Sequence, residues 1–244
     1  MRMESSQSFH AAQYAARGAA EFAVGRFQDA AVSYSAVATS QPRNPDALYN
    51  LALCLERCER WDAAAAVFEN VLRLDAGRGE AQLALASCLL RMNRAEEALA
   101  KFDDARDNGP HETALFGKAV ALQLLKRFEE AAEIYASLLS CAPHAEEVLG
   151  NWIAMAVETQ DLAQVQEHAR RLLKEHPESL AGLRAMATVA LTGGDHNAAA
   201  SLCERLLDQG PESLEAWHNL RIALGQLEFG PAQPAFTLYA GGKR

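Results

Sequence analysis

The sequence predicts an all-α protein built from repeated pairs of antiparallel helices. The chain has 244 residues, of which 50% are hydrophobic and 23% charged, a balance typical of a globular protein. Alanine occurs in runs such as Ala63–Ala66 and Ala198–Ala200, whereas β-branched residues are sparse, and this mix favours helix over sheet. The strongest observation is a sequence element that recurs along the chain at a nearly constant spacing.

The recurring element begins with arginine and leads into an alanine-rich stretch. Its first four copies start at Arg26, Arg60, Arg94 and Arg127, so the spacings are 34, 34 and 33 residues, and weaker copies follow at 162–165 and 196–199. The same order of residues follows in each of the first four copies: a large residue (Tyr34, Phe68, Phe102, Tyr135), a small or aliphatic one three residues later (Val37, Val71, Ala105, Leu138) and often a proline.

An amphipathic helix precedes each element. In the second copy its apolar residues are Leu48, Leu51, Ala52 and Leu55, which is the i, i+3, i+4, i+7 pattern of one helical face. Each repeat therefore predicts two antiparallel helices, thirteen helices in all. Between the two helices lie Gly25, Asn93 and Gly194, which are residue types that accept the left-handed conformation at the end of a helix.

These residues resemble the tetratricopeptide-repeat family, which implies a right-handed superhelical solenoid of helix-turn-helix units. The expected organisation is an N-terminal extension at 1–10 and a single solenoid at 11–228, followed by an irregular tail at 229–244. The six repeats, numbered one to six here, are 11–44, 45–78, 79–111, 112–145, 146–179 and 180–213, and a C-terminal capping helix occupies 214–228. Such a helix is expected because the last repeat would otherwise leave an apolar face in water.

Some positions depart from the family pattern. Repeat five has Ile153 where a small residue belongs, Val165 for the alanine and Ala169 for the aromatic. We interpret Ile153 and Ala169 as compensating in volume, and the alternative is a drifted repeat with no specific role. Lys118 and Arg17 stand at a position that is normally aliphatic. We expect Arg17 to reach water and Lys118 either to extend along its stem or to find a carboxylate.

The resemblance also implies that the first helix of each repeat lines a concave groove. The groove is apolar in its N-terminal half, as expected of a surface that binds a helix or an extended peptide of another protein. The family's clamp for acidic chain ends is not expected, because its positions hold Ala15, Ala19, Glu80 and Ala84. The predicted binding residues are Tyr49, Asn50, Leu53, Arg57, Leu83, Ser87, Leu90, Phe116, Val120, Asn151, Arg184 and Asn219.

The asparagines in this set have a specific interpretation. Asn50, Asn151 and Asn219 occupy the same place in their repeats, and some relatives hold a peptide backbone with such a ladder. An amide offers both a donor and an acceptor, so it can pair with a peptide unit without reading its sequence.

No motif indicates catalysis, a cofactor or a metal. Cys54 and Cys58 share a helical face but lack further ligands at zinc spacing, so we interpret them as core residues. A net charge of −9 argues against nucleic acid, and no stretch is apolar for long enough to predict a membrane partner. Five scattered cysteines suit a reducing compartment, so a cytoplasmic location is expected.

The sequence thus favours a non-catalytic scaffold, an adaptor or chaperone-like protein that binds a segment of a partner protein. The alternative is a regulatory or substrate-recruiting subunit of an enzyme complex. A further hypothesis concerns Phe236, Leu238 and Tyr239 in the tail, which would allow self-association or docking of the tail in a groove.

Overall fold

The computed structural model describes residues 2–105, 111–141 and 146–229. Within these ranges the chain forms thirteen α-helices and no strand. The helices are α1 (Arg2–Ala23), α2 (Phe27–Ser40), α3 (Pro45–Arg57), α4 (Trp61–Leu74), α5 (Gly79–Arg91), α6 (Ala95–Ala105), α7 (His111–Leu124), α8 (Phe128–Cys141), α9 (Glu146–Glu158), α10 (Leu162–Glu175), α11 (Leu180–Thr192), α12 (His196–Gln209) and α13 (Leu214–Phe229). The predicted all-α repeat fold is confirmed.

The helix boundaries follow the repeat pattern closely. First helices α3, α5, α7, α9 and α11 each begin within one residue of the predicted start of their repeat, and α13 begins where the capping helix was expected. Helix α1 begins at Arg2, so most of the segment predicted as an N-terminal extension is continuous with the first helix. The predicted irregular tail from 230 onward lies outside the described residues.

The chain divides into two compact blocks, which we call the N-terminal block (Met1–Cys141) and the C-terminal block (Ala142–Arg244). Inside each block every helix packs against the next one along the chain. The first helices of consecutive repeats also touch, as α3 with α5, α5 with α7, α9 with α11 and α11 with α13. Each block is therefore a stack of helix hairpins.

Small side chains allow the two helices of a repeat to approach closely. Ala52, Ala86, Ala119 and Ala187 occupy the same place in their repeats and have no exposed surface. Glycine serves this purpose in repeat one, where a methyl group on Gly18 would lie 2.9 Å from the ring of Tyr34. The approach of the helices buries the large residues of the second helices, among them Phe68, Phe102 and Tyr135.

A left-handed residue reverses the chain between the two helices of every repeat. The residues are Gly25, Glu59, Asn93, Lys126, Gln160 and Gly194, with φ between 58° and 77°. The N–H of the following residue then bonds back to the carbonyl five residues earlier, as from Arg26 to Glu21 at 2.9 Å and from Arg60 to Leu55 at 2.9 Å. The left-handed conformation predicted at Gly25, Asn93 and Gly194 is confirmed. At the other three sites the residue types, Glu, Lys and Gln, did not predict it.

Lys118 and Arg17, which stand at a repeat position that is normally aliphatic, have different surroundings. Lys118 pairs with the carboxylate of Asp103 at 2.6 Å, which confirms one of the two arrangements expected for it. Arg17 is exposed, as expected, and it also donates to Glu21 at 2.8 Å. Glu21 is buried and accepts a second hydrogen bond from the Ser33 hydroxyl at 2.7 Å, so its pKa is lowered by the bonds from Arg17 and Ser33.

Repeat five has an unusual core. Ile153 and Ala169 are both buried, although whether their volumes compensate stays a prediction. His168 is buried next to Ala169, and its ring lies 4.2 Å from the ring of Trp152. Burial lowers the pKa of His168 because the charged imidazolium is desolvated there.

The left-handed turns predict how substitutions there change stability. Replacing Glu59 with glycine removes the steric cost of φ near 58° and should stabilise the protein by up to about 1 kcal/mol. Gly25→Ala should destabilise it by about 1 kcal/mol, because the site is open and only the backbone conformation is strained. Urea unfolding measures both. As a control, Glu69→Gly in the exposed interior of α4 should cost about 1 kcal/mol, and a loss of similar size at Glu59 would contradict the assignment.

The buried histidine predicts a pH dependence. Because the folded pKa of His168 lies below its unfolded value, its contribution to stability is fully present above about pH 6.5 and is lost as the pH falls from there through the folded pKa. The free energy of unfolding should therefore fall from pH 7 toward pH 5, and less steeply in His168→Phe. Identical slopes in the native protein and His168→Phe would contradict this role.

Candidate partner-binding surface

The predicted binding residues lie on the first helices of both blocks. Nine of them are on α3, α5 and α7, and we call this set the first-helix surface: Tyr49, Asn50, Leu53, Arg57, Leu83, Ser87, Leu90, Phe116 and Val120. Because α3 contacts α5 and α5 contacts α7, these residues lie on adjacent helices. The remaining three, Asn151, Arg184 and Asn219, are in the C-terminal block on α9, α11 and α13.

Several apolar members of the set belong to the core rather than to a free surface. Leu83 is only 9% exposed, and Leu53 and Leu90 are partly buried against the same apolar cluster. The reason is that α5 has a first helix on either side, α3 and α7, so its side chains are covered from both directions. The prediction that Leu83 is available to a partner is corrected accordingly.

Tyr49 is held by its neighbours in a half-buried cluster. Its ring lies 5.8 Å from the ring of Phe68, and the guanidinium of Arg78 lies over the Tyr49 ring at 4.2 Å from its centroid. Arg78 also donates to the carboxylate of Asp46 at 2.7 Å. Burial raises the pKa of Tyr49. Tyr49 can therefore offer a partner only part of its ring.

An arginine also lies over an aromatic ring at the junction of successive repeats. Arg57 lies 5.8 Å from the ring centroid of Phe27, and Arg91 lies 5.3 Å from that of Trp61, with both pairs repeating at a spacing of 34 residues. Such contacts are favourable because the ring face carries partial negative charge. Arg57 remains exposed, so its N–H groups stay accessible to a partner.

The other predicted residues have mixed surroundings. Phe116 is half-buried, with its ring 6.4 Å from that of Tyr135, and Ser87 and Val120 are also half-buried. Asn151 donates to the backbone oxygen of Glu147 at 2.9 Å, so part of its hydrogen-bonding capacity is used within its own helix. Arg184 is exposed and lies 3.8 Å from the carboxylate of Glu215.

A cavity of about 290 Å³ opens among α1, α2 and α3. It is lined by Ala11, Ala12, Ala15, Tyr34, Val37, Gln41, Asn44, Asp46, Ala47 and Asn50. We call it the repeat-one cavity. Of these residues, Asn50 of repeat two belongs to the predicted binding set, and Ala15 of repeat one stands at a groove position where the family's clamp for acidic chain ends would need a basic residue.

The walls of the repeat-one cavity differ in chemistry. Alanines of α1 and the buried Val37 and Tyr34 make one side apolar. The opposite side is polar, because the Asn44 side chain accepts from the backbone N–H of Asp46 at 3.0 Å and donates to Gln41 at 2.7 Å. These hydrogen bonds fix the turn that precedes α3.

Asn50 is the polar residue of this cavity that is best placed to receive a ligand. Its amide forms no hydrogen bond with another described residue, so its donor and its acceptor remain available. Among the cavity residues the sequence predicted Asn50 as a binding residue but missed Gln41 and Asn44. The Asn-Pro pair at the start of α3 was the signal that marks Asn44, because it predicts a helix cap.

Two of the buried cysteines are poorly suited to covalent chemistry. All five cysteines are free thiols, and burial raises the pKa of Cys54 to about 11 and that of Cys88 to about 12, which makes them poor nucleophiles. In the described ranges no three His, Cys, Asp or Glu side chains are grouped as a metal site would require. Among the described helices, none combines the length and the apolar character that crossing a membrane requires.

Comparison with known proteins gives consistent results. A tetratricopeptide-repeat profile matches residues 15–79, and a profile described as the N-terminal TPR repeats region of Psidin matches residues 80–222. No curated protein matches the chain.

Several solved structures share the fold. PilW, described as a widely conserved type IV pilus biogenesis factor, aligns with a TM-score of 0.76 at 18% identity, over 86% of this chain and 98% of PilW. A tetratricopeptide-repeat protein from Parabacteroides merdae aligns with a TM-score of 0.70 at 16% identity, over 88% and 84% of the two chains. YrrB, described as a TPR protein with an unusual peptide-binding site, aligns with a TM-score of 0.56 at 13% identity, over 76% and 96%.

Proposed function

The chain belongs to the tetratricopeptide-repeat family, and we propose that it is a non-catalytic adaptor that binds a segment of a partner protein at its N-terminal repeats. Proteins of this family serve in general as scaffolds for protein–protein interaction. The repeat-one cavity carries the proposal, because it combines groove positions from two successive repeats in one concave site.

The chemistry of the cavity suits an extended peptide. Ala12 and Ala15 leave the backbone of α1 close to the surface, so a bound chain can approach without displacing large side chains. The amide of Asn50 can pair with one peptide unit of that chain, through both a donated and an accepted hydrogen bond. The volume fits one or two side chains rather than a whole folded element.

The preferred side chain at this site is apolar. Val37 and Tyr34 provide buried apolar contact area on the inner wall. The carboxylate of Asp46 at the rim is engaged by Arg78, so a basic residue of the partner would have to compete for it. The site therefore favours an apolar side chain from a segment whose backbone is extended.

The first-helix surface extends this site along α5 and α7. Arg57, Ser87 and the exposed part of Phe116 offer further contacts, whereas the core position of Leu83 limits its contribution. We also propose a reducing compartment such as the cytoplasm, in keeping with the five free thiols. The segment 230–244, on which docking or self-association of the tail was predicted, lies outside the described residues.

Filling the cavity from inside tests the proposal. Ala15→Leu adds a branched side chain to the apolar wall and should weaken partner binding at least about tenfold, because loss of 1.4 kcal/mol corresponds to that factor. The partner is first captured from native lysate on the intact protein and purified. Its affinity for each variant is then measured by calorimetry, with helicity and thermal unfolding recorded in parallel.

Ala20→Leu is the matched control, since it adds the same side chain to an exposed position of the same helix outside the cavity. It should leave the affinity unchanged. Equal affinity of the native protein and Ala15→Leu, both fully folded, would show that the partner binds elsewhere.

A further inference from the structure

Helix α13 exposes a face whose equivalent is covered in the first helices of the two preceding repeats, five and six. In repeats five and six the corresponding first-helix residues lie beneath the second helix: Leu149, Ile153 and Ala156 are 0%, 4% and 1% exposed, and Leu183, Ala187 and Ala190 are 0%, 0% and 9% exposed. The residues at the same places in α13 are Trp217, Arg221 and Leu224, of which Trp217 is 53% and Leu224 43% exposed.

The exposed face continues to the start of the helix. Leu214, which is 83% exposed, lies one turn before Trp217. We call Leu214, Trp217, Arg221 and Leu224 the α13 stripe. Their spacings of three, four and three residues place all four side chains on one side of a helix. These spacings are symmetric about residue 219, so the order of spacings is the same in either direction along the helix.

We propose that the α13 stripe is a self-association surface on which α13 of a second copy packs antiparallel, about a two-fold axis near residue 219. In this register Leu214 lies at the level of Leu224 of the second copy. Trp217 lies at the level of Arg221 of the second copy, and the reciprocal contacts follow by symmetry.

The Trp217–Arg221 contact is of a kind that this chain uses repeatedly. Arg78, Arg57 and Arg91 each lie over an aromatic ring at 4.2 to 5.8 Å from its centroid. Two packed helices lie about 8 to 10 Å apart, a distance that an arginine and a tryptophan at the same level can bridge. An arginine within about 6 Å of the indole centroid is attracted to its face.

Arg221 also argues against a covering helix of the ordinary repeat type. In repeats five and six its place is held by the buried apolar residues Ile153 and Ala187, on which the second helix packs. An arginine there needs a partner that offers an acceptor or a ring face, and a second α13 stripe offers Trp217. The α13 stripe therefore offers its own arginine an aromatic ring face in the second copy.

The association should be weak. Four side chains per copy are far fewer than the roughly 20 to 30 residues on each side of a standard interface. We expect a dissociation constant on the order of tens to hundreds of micromolar. Sedimentation equilibrium of the full chain should accordingly show a mass that rises from one copy toward two with concentration.

Charge substitutions test the register. Leu214→Glu and Leu224→Lys each place a charge opposite a leucine of the second copy, and each should raise the dissociation constant at least about tenfold. Both substitutions suit the helix, because a carboxylate is favourable in its first turn and an ammonium toward its C-terminal end. An equimolar mixture should recover much of the association, since one Leu–Leu pair is restored and the other becomes Glu–Lys. Leu162→Lys, a comparably exposed leucine on α10, should behave as the native chain.

Three outcomes would overturn the proposal. The first is a native chain that stays at the mass of one copy at every concentration up to about 1 mM, well above the expected constant. The second is a mixture of the two variants that associates no better than either alone, because only the antiparallel register predicts recovery. The third is a native chain that is a monomer and in which replacing Phe236, Leu238 and Tyr239 by serine makes Trp217 more accessible to a fluorescence quencher. That result would show that the chain's own tail covers the α13 stripe.

Discussion

The close approach of the two helices within each repeat is the constraint on which the rest of the structure depends. In every repeat but the fifth it is made possible by a small residue in the middle of the first helix, as at Ala52, Ala86 and Ala119, none of which has exposed surface. A left-handed residue then reverses the chain within a few residues of the end of that helix. Together these features fix the hairpin and leave the first helices side by side.

The functional surfaces follow from where this packing is incomplete. At α1 the residues facing the neighbouring helix are alanines, and their small volume leaves the repeat-one cavity open beside Asn50. At α13 the described structure has no second helix to cover the face that carries Trp217 and Leu224, so both are exposed. A solenoid must bury apolar area between successive hairpins, and its end repeats are where that area remains available for other molecules.

Much of the fold could be predicted from the sequence, because the 34-residue period places the same residue types at the same turns and helix faces. The left-handed conformations of Glu59, Lys126 and Gln160 could not, since the repeat geometry imposes them against the preference of those residue types. The burial of Leu83 was missed because a position within one repeat does not show how closely the neighbouring repeats pack. The repeat-one cavity exists because side chains do not fill the space among α1, α2 and α3. The spacing of residues along the sequence does not reveal such unfilled space.

The most direct test of this account is the free energy of unfolding of Ala86→Ile, compared with Ala100→Ile. Ala86 is fully buried between the helices of repeat three, whereas Ala100 lies on the exposed face of α6. Urea unfolding should show a loss of about 1 to 3 kcal/mol at Ala86, because the helices are forced apart. The loss at Ala100 should be about 0.5 kcal/mol or less, since only helix propensity changes there. Equal losses at the two positions would contradict the claim that close helix approach governs the fold.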